Sequence, residues 1–265
     1  MNLSISEIQQ YGTEMLKTVV GILEEHQLPY ILFYGSMLGA VRHRGPIPWD
    51  YDIDIAIPEA SMDAFLRSMK ADLPDKYWVD FRAPGMMKLS MPRIGLAGYS
   101  SVMLHIDVYR VVGFPKQEWR QRLFNKYSRL QKSIRCAKVY QYTGKKLKKA
   151  RIIRALTCLH SADHYALKYD KACKHYDYDR AEYIGFNAGY HFETLVYTKE
   201  LFDTKLVPYA DFQVRIPKNS DQVLKRLYGD YMKYPSEESR EKALNAVYHV
   251  EELQQNDLDW RKNLG

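Results

Sequence analysis

The sequence predicts an α+β fold, with a mixed sheet core, an N-terminal helix before it and an added helical region after it. Three observations carry this expectation. Short apolar or alternating stretches, separated by turn residues, recur through the first 115 residues. From Glu118 to about Tyr176 the chain lacks proline and is rich in Lys, Arg, Leu and Ala. An amphipathic segment with its own start signal precedes both. Residues 1–115 are thus expected to form the core, and 116–265 a basic helical region and a C-terminal segment that complete the same unit.

Ser4 and Glu7 form a capping box, and Ile5, Ile8, Met15, Val19 and Ile22 recur at helical spacing to about His26. Pro29 ends that helix. Tyr30–Tyr34 reads as a buried strand that closes on Gly35-Ser36, and Met37–Arg42 starts a helix broken by Gly45-Pro46 and Pro48. Asp50–Pro58 alternates acid with Ile, which is strand periodicity. A helix at Ser61–Leu73 follows, then strands at Tyr77–Arg82, Met87–Arg93 and Val102–Val111. The basic stretch reads as two or three helices parted near Thr143-Gly144. Helices at Ser220–Tyr228, stopped by Gly229, and at Ser236–Gln255 close the chain.

Composition narrows the function classes. Of 265 residues, 46% are hydrophobic and 27% charged, which indicates a folded globular protein. No run reaches the roughly 20 apolar residues of a membrane-spanning helix, and Met1–Gln10 lacks a signal-peptide pattern, so a cytoplasmic location is expected. Cys136, Cys158 and Cys173 are widely spaced and form no Cys-x-x-Cys pair, which disfavours a disulfide framework or structural zinc. The net charge of +7 is uneven: Arg110–Arg154 holds 15 Lys or Arg against one acid, Glu118. Such a block is either a solvated helical face or a platform for an anionic partner.

The chemistry concentrates in Asp50–Asp54. On an extended strand, Asp50, Asp52 and Asp54 would share one face, and Tyr51, Ile53 and Ile55 the other. Three carboxylates beside a core repel one another and cost stability unless a cation neutralises them. Oxygen donors without Cys or clustered His favour Mg²⁺ or Mn²⁺. Asp-x-Asp alone fits equally well a strand whose polar residues face solvent. Two features count against that alternative. Gly35-Ser36 sits between a strand and a helix, where backbone N–H groups meet phosphates, and Asp107 lies at the centre of an apolar strand.

The string from Tyr34-Gly35-Ser36-Met37-Leu38-Gly39-Ala40-Val41-Arg42 through His43-Arg44-Gly45-Pro46-Ile47-Pro48-Trp49-Asp50-Tyr51-Asp52-Ile53-Asp54-Ile55 resembles the signature of the LicD family. That family has a nucleotidyltransferase-like fold and includes phosphorylcholine transferases and relatives of fukutin. His105-Ile106-Asp107-Val108 and the segment Phe212–Pro235 resemble its later motifs. Tyr51 departs from it, since the family often has Asp there.

The resemblance implies that Asp52, Asp54 and Asp107 hold Mg²⁺ or Mn²⁺, and that Asp107 assists the acceptor hydroxyl. It further implies that Gly35 and Ser36 contact donor phosphates, with Arg42, Trp49 and Lys88 as further substrate contacts. Asp50 is a ligand or a cap. The implied donor is CDP-choline or another CDP-alcohol, and the implied acceptor a hydroxyl of a cell-surface glycan precursor of teichoic acid or lipopolysaccharide type. The basic region suggests peripheral contact with an anionic membrane on the inner face, while nucleic acid is not the expected partner. Nucleotidyl transfer with pyrophosphate release, and a non-catalytic binding protein, are the competing readings.

Overall fold

A computed structural model describes residues 2–80, 93–97, 104–139, 144–186, 196–245 and 247–249. Its elements run β1 (Asn2–Ser4), α1 (Ile5–Glu25), β2 (Ile31–Leu32), α2 (Tyr34–His43), β3 (Ile53–Pro58), α3 (Met62–Asp72), β4 (Tyr77–Asp80) and β5 (Arg93–Leu96). They continue with β6 (His105–Phe114), α4 (Glu118–Val139), α5 (Gly144–Leu156), α6 (Ala162–Cys173), β7 (Tyr183–Phe186) and β8 (Val196–Thr198). The hairpin β9 (Thr204–Tyr209) and β10 (Phe212–Pro217), α7 (Ser220–Tyr228), α8 (Glu237–Leu244) and β11 (Val247–His249) complete the chain. The architecture is α+β, as the sequence predicts.

Among the described residues, seven strands form the main sheet. β3 and β6 pair in parallel at its centre, and β2 lies antiparallel outside β3. The other edge of the ten-residue strand β6 is divided: β5 pairs with His105–Asp107 and β7 with Val111–Phe114. The region after α4 therefore returns to the sheet that the first 115 residues begin.

Local chemistry explains the element ends. The Ser4 side chain accepts from the Glu7 backbone N–H, Glu7 returns the bond, and α1 starts there as expected. Nine apolar or small residues of α1 are buried, and six of them, Met15, Leu16, Val19, Val20, Ile22 and Leu23, enter the main core. Gly229 adopts φ +67° and stops α7 as anticipated. Three of the basic-stretch helices also fall where the composition places them.

Three expectations need correction. The β2 strand holds only Ile31–Leu32, because the chain turns into α2 at Tyr34 with φ +43°. The acidic strand begins at Ile53, not Asp50, and all six β3 positions are buried, so it is a central strand with no solvent face. The closing helix stops at Leu244, and Val247–His249 instead pairs antiparallel with β1. Among the described residues, no helix is long and apolar enough to cross a membrane.

Candidate active site

The parallel register of β3 and β6 places Asp54 directly opposite Asp107. Adjacent strands lie about 4.8 Å apart, so the two carboxylates belong to one site. Asp54 is only 7% exposed. Its backbone is fixed from two sides: its N–H donates to Ser36 Oγ at 2.8 Å, and its carbonyl accepts from the Phe33 N–H at 3.0 Å. Ser36, itself buried, thus uses its hydroxyl oxygen to lock α2 onto β3.

Burial pushes the Asp54 carboxyl well above the usual carboxylate range, and the charges of Asp107, Asp52 and Asp50 push it further. A hydrogen bond from Tyr109 opposes the shift without reversing it. Asp52 lies one residue before β3 and is more exposed. Its carboxyl is also raised, by desolvation and then by Asp50, against the pull of His105 and Arg93. Burial would raise Asp107 too. The His105 hydrogen bond and charge, joined by Arg93, outweigh that effect and hold its carboxyl below the ordinary value.

The contacts to Asp107 explain this opposite direction. Arg93 Nε donates to Asp107 Oδ1 at 2.6 Å, and His105 Nε2 lies 3.3 Å from the same oxygen. His105, Asp107 and Tyr109 alternate on β6 and share one face. That spacing could have been read from the sequence, whereas the contribution of Arg93 needs the β5–β6 register, in which Arg93 pairs with Asp107.

Asp50 bends back toward α2. Its Oδ1 accepts from the Asp52 N–H at 3.3 Å, and a Cβ added at Gly35 would come 2.9 Å from its Oδ2. Gly35 is thus the residue that lets this carboxylate approach the first turn of α2, where the helix dipole favours negative charge. Gln9, on α1, holds the loop by donating to the carbonyls of Ile47 at 2.7 Å and Asp50 at 2.6 Å. We expect Gly35→Ala to displace the Asp50 carboxylate and to impair turnover more than it lowers stability, since the clashing oxygen ends a side chain that can turn away. Parallel denaturation and activity assays would separate the two effects, and a variant equal to wild type in turnover would refute the assignment.

A narrow cleft is lined by Gly35, Ser36, Asp50, Asp52 and Tyr209 among others. Aromatic rings form one wall of the acidic site. Tyr34 meets Tyr109 at a centroid distance of 5.2 Å, and both meet Phe186 at 5.9 Å. Burial, followed by the Asp54 charge, raises the Tyr34 hydroxyl to about 12. Tyr109 and Tyr228 are raised in the same way, with Asp54 the leading charge for each after burial.

Arg42 and Trp49 come together in a separate group. Arg42 Nη1 donates to the Tyr231 carbonyl at 2.8 Å, and its guanidinium lies 4.8 Å from the Tyr234 ring centroid and 5.7 Å from that of Trp49. Arg240 also lies over Trp49, at 5.5 Å. These contacts fasten the C-terminal segment onto the turn that leads to Asp50. Lys88 lies outside the described residues.

Among the described residues, no three His, Cys, Asp or Glu side chains converge as an assembled metal centre. The donor chemistry nevertheless fits a hard divalent cation. Asp54 is a buried carboxylate beside three further acids, and a cation there would relieve the burial and repulsion that now raise it. Binding would have to compete with Arg93 and His105 for Asp107.

Residues 27–129 match the family described as LicD/FKTN/FKRP, nucleotidyltransferase domain. Over 94% of its length the chain is 24% identical to the lipopolysaccharide cholinephosphotransferase LicD of Haemophilus influenzae, 97% of which is covered. It is also 52% identical over 44 residues to the ribitol 5-phosphate transferase FKRP of human and of mouse. That match takes in 17% of this chain and spans only 9% of the FKRP length. Over residues 27–129 the chain is thus similar to the nucleotidyltransferase domain of the LicD/FKTN/FKRP family.

Proposed function

We propose that the protein transfers phosphocholine from CDP-choline to a hydroxyl of a cell-surface glycan precursor, releasing CMP, in a metal-dependent reaction. The observation that carries this reading is the buried Asp54 carboxylate, set in register with Asp107 and fixed to the first turn of α2 by Ser36. Choline is favoured over ribitol because the similarity to a cholinephosphotransferase runs along nearly the whole chain. The ribitol transferase matches only a short segment.

In this reading Asp52, Asp54 and Asp107 hold Mg²⁺ or Mn²⁺, which when bound neutralises the donor diphosphate. The acceptor oxygen forms a bond to the choline-bearing phosphorus as the bond to CMP breaks. Asp107, kept ionised by His105 and Arg93, takes the hydroxyl proton. Tyr34 and Tyr109 limit water at the reacting centre and keep the carboxylates in a weakly screening environment.

A donor panel tests the proposal. With a glycan acceptor and Mg²⁺, CMP release is expected from CDP-choline, and chelation should abolish it. Release from CDP-ribitol or CDP-glycerol instead would keep the reaction class and replace the donor. Pyrophosphate release from CTP or ATP, or no turnover with any CDP-alcohol, would overturn it.

A further inference from the structure

Helix α4 buries an unusual number of polar side chains. Gln121, Asn125, Ser128, Gln131 and Arg135 are buried together with Phe124, Ile134 and Ala137, in a helix that packs on α5 and α6. Its outer side carries Trp119, Leu123, Tyr127 and Leu130, which are 65%, 58%, 45% and 54% exposed. At 3.6 residues per turn these four fall within an arc of about 80°, a continuous apolar stripe. Scattered exposed apolar residues are ordinary, but an aligned set on a helix that also buries uncharged polar residues indicates something that covers it.

The charge around the stripe says what that is. Arg120, Arg122 and Lys126 are exposed beside it, and Arg129 is half-buried. Across α4 and α5 there are 13 Lys or Arg and one acid, Glu118. Near the end of α5, Ile152 and Leu156 are exposed, as is Leu159 just beyond it, while Lys145, Lys146, Lys148 and Lys149 at its start are also open to solvent. Alternation of Trp and Leu with Lys and Arg on one helical face is the pattern of a helix lying in a membrane interface, with rings and aliphatic chains among the acyl chains and cations at the headgroups. Nucleic acid would satisfy the cations but would leave the outward leucines without a role.

We propose that the outer face of α4, with the exposed end of α5, docks on an anionic lipid bilayer with Trp119, Leu123 and Leu130 inserted. This inference is independent of the transferase reading. A chain carrying Asp54→Asn should bind vesicles as the unaltered protein does.

Flotation of the full chain with phosphatidylcholine vesicles, with or without phosphatidylglycerol, tests it. Binding is expected only with the anionic lipid and should weaken as salt is raised. The combined substitution Trp119→Ser, Leu123→Gln and Leu130→Gln should weaken binding by about tenfold or more, with an unchanged circular dichroism spectrum because these side chains are exposed. If that variant does not fold, Leu123→Gln alone should show a smaller loss in the same direction. Equal binding to neutral vesicles, no binding to either, or undiminished binding by the substituted chain would overturn the proposal. The last outcome would leave charge alone at work, as on a polyanion such as nucleic acid.

Discussion

Asp54→Asn is expected to reduce the proposed phosphocholine transfer by about a thousandfold and, in the same protein without metal, to raise the melting temperature. The first effect follows from the proposed role: an amide is a poor ligand for a hard cation and cannot neutralise it, and several kcal/mol of charge stabilisation would be lost. The second follows from burial. Asp54 is almost wholly inside the protein and is raised by desolvation and by Asp107, Asp52 and Asp50. A raised carboxyl binds a proton more tightly in the folded state than in the unfolded one. Its contribution therefore favours folding least at high pH: stability falls as pH rises from the unfolded value toward the folded one, and stays low above it.

The amide removes that loss, since it has no charge to desolvate. Metal-free wild-type and variant proteins should thus differ most at neutral and alkaline pH and converge below about pH 4. Added Mg²⁺ should stabilise the wild type but not the variant. Thermal unfolding across pH, with and without metal, measures all three effects. A variant less stable than wild type at neutral pH without metal would mean that the carboxylate serves the fold, and the metal assignment would fall with it.

Much of this site was legible in the sequence, because strand alternation and spacing are local properties. Asp54 and Asp107 could be selected as acids at the centres of apolar strands, and the structure makes them register partners. The Gly35-Ser36 turn was legible as a strand-to-helix junction, but its chemistry was not. The Ser36 hydroxyl oxygen accepts from Asp54, and Gly35 makes room for Asp50, both through contacts with residues more than ten positions away. Alternation also misled. It placed Asp50 and Asp52 on the strand, whereas the strand begins at Ile53 and every position is covered. Period-2 patterns report which residues share a face, not whether that face is wet.

The side chains that tune Asp107 divide along the same line. His105 and Tyr109 sit two residues to either side, so strand geometry alone predicts their company. Arg93 reaches Asp107 only through the antiparallel register of β5. Helix α4 shows a further limit. Its charge excess was visible, but which residues point inward is decided by α5 and α6, and the burial of Gln121, Asn125 and Gln131 departs from what amphipathicity would suggest.

Arg110 illustrates why a charge block cannot be read as one surface. In sequence it opens the basic stretch, yet its side chain is 5% exposed and belongs to the interior. Its Nε and Nη2 bind the Glu59 carboxylate at 2.6 and 2.5 Å, and its Nη1 reaches Asp170 at 2.9 Å. Those partners follow β3 and lie on α6, so one guanidinium joins both central strands of the sheet to the helical region. Although burial disfavours its charge, the hydrogen bonds it donates to Glu59 and the nearby acids raise its affinity for the proton.

Arg110→Met keeps most of the side-chain volume but leaves two carboxylates inside without their cation. The expected loss is about 3–5 kcal/mol, a large share of the stability of an ordinary domain. Denaturant unfolding would measure it, and proteolysis should cut first in α4–α6, the region that the guanidinium holds to the sheet. Replacing all three together, with Glu59→Leu and Asp170→Asn, should recover most of the loss, since no uncompensated charge then remains. A single variant as stable as wild type would show that water reaches these carboxylates. The contrast with Asp54 is physical: both are buried ionisable groups on the central strands, but Arg110 is neutralised within the fold, whereas Asp54 is surrounded by further acids, the difference on which the proposed cation site rests.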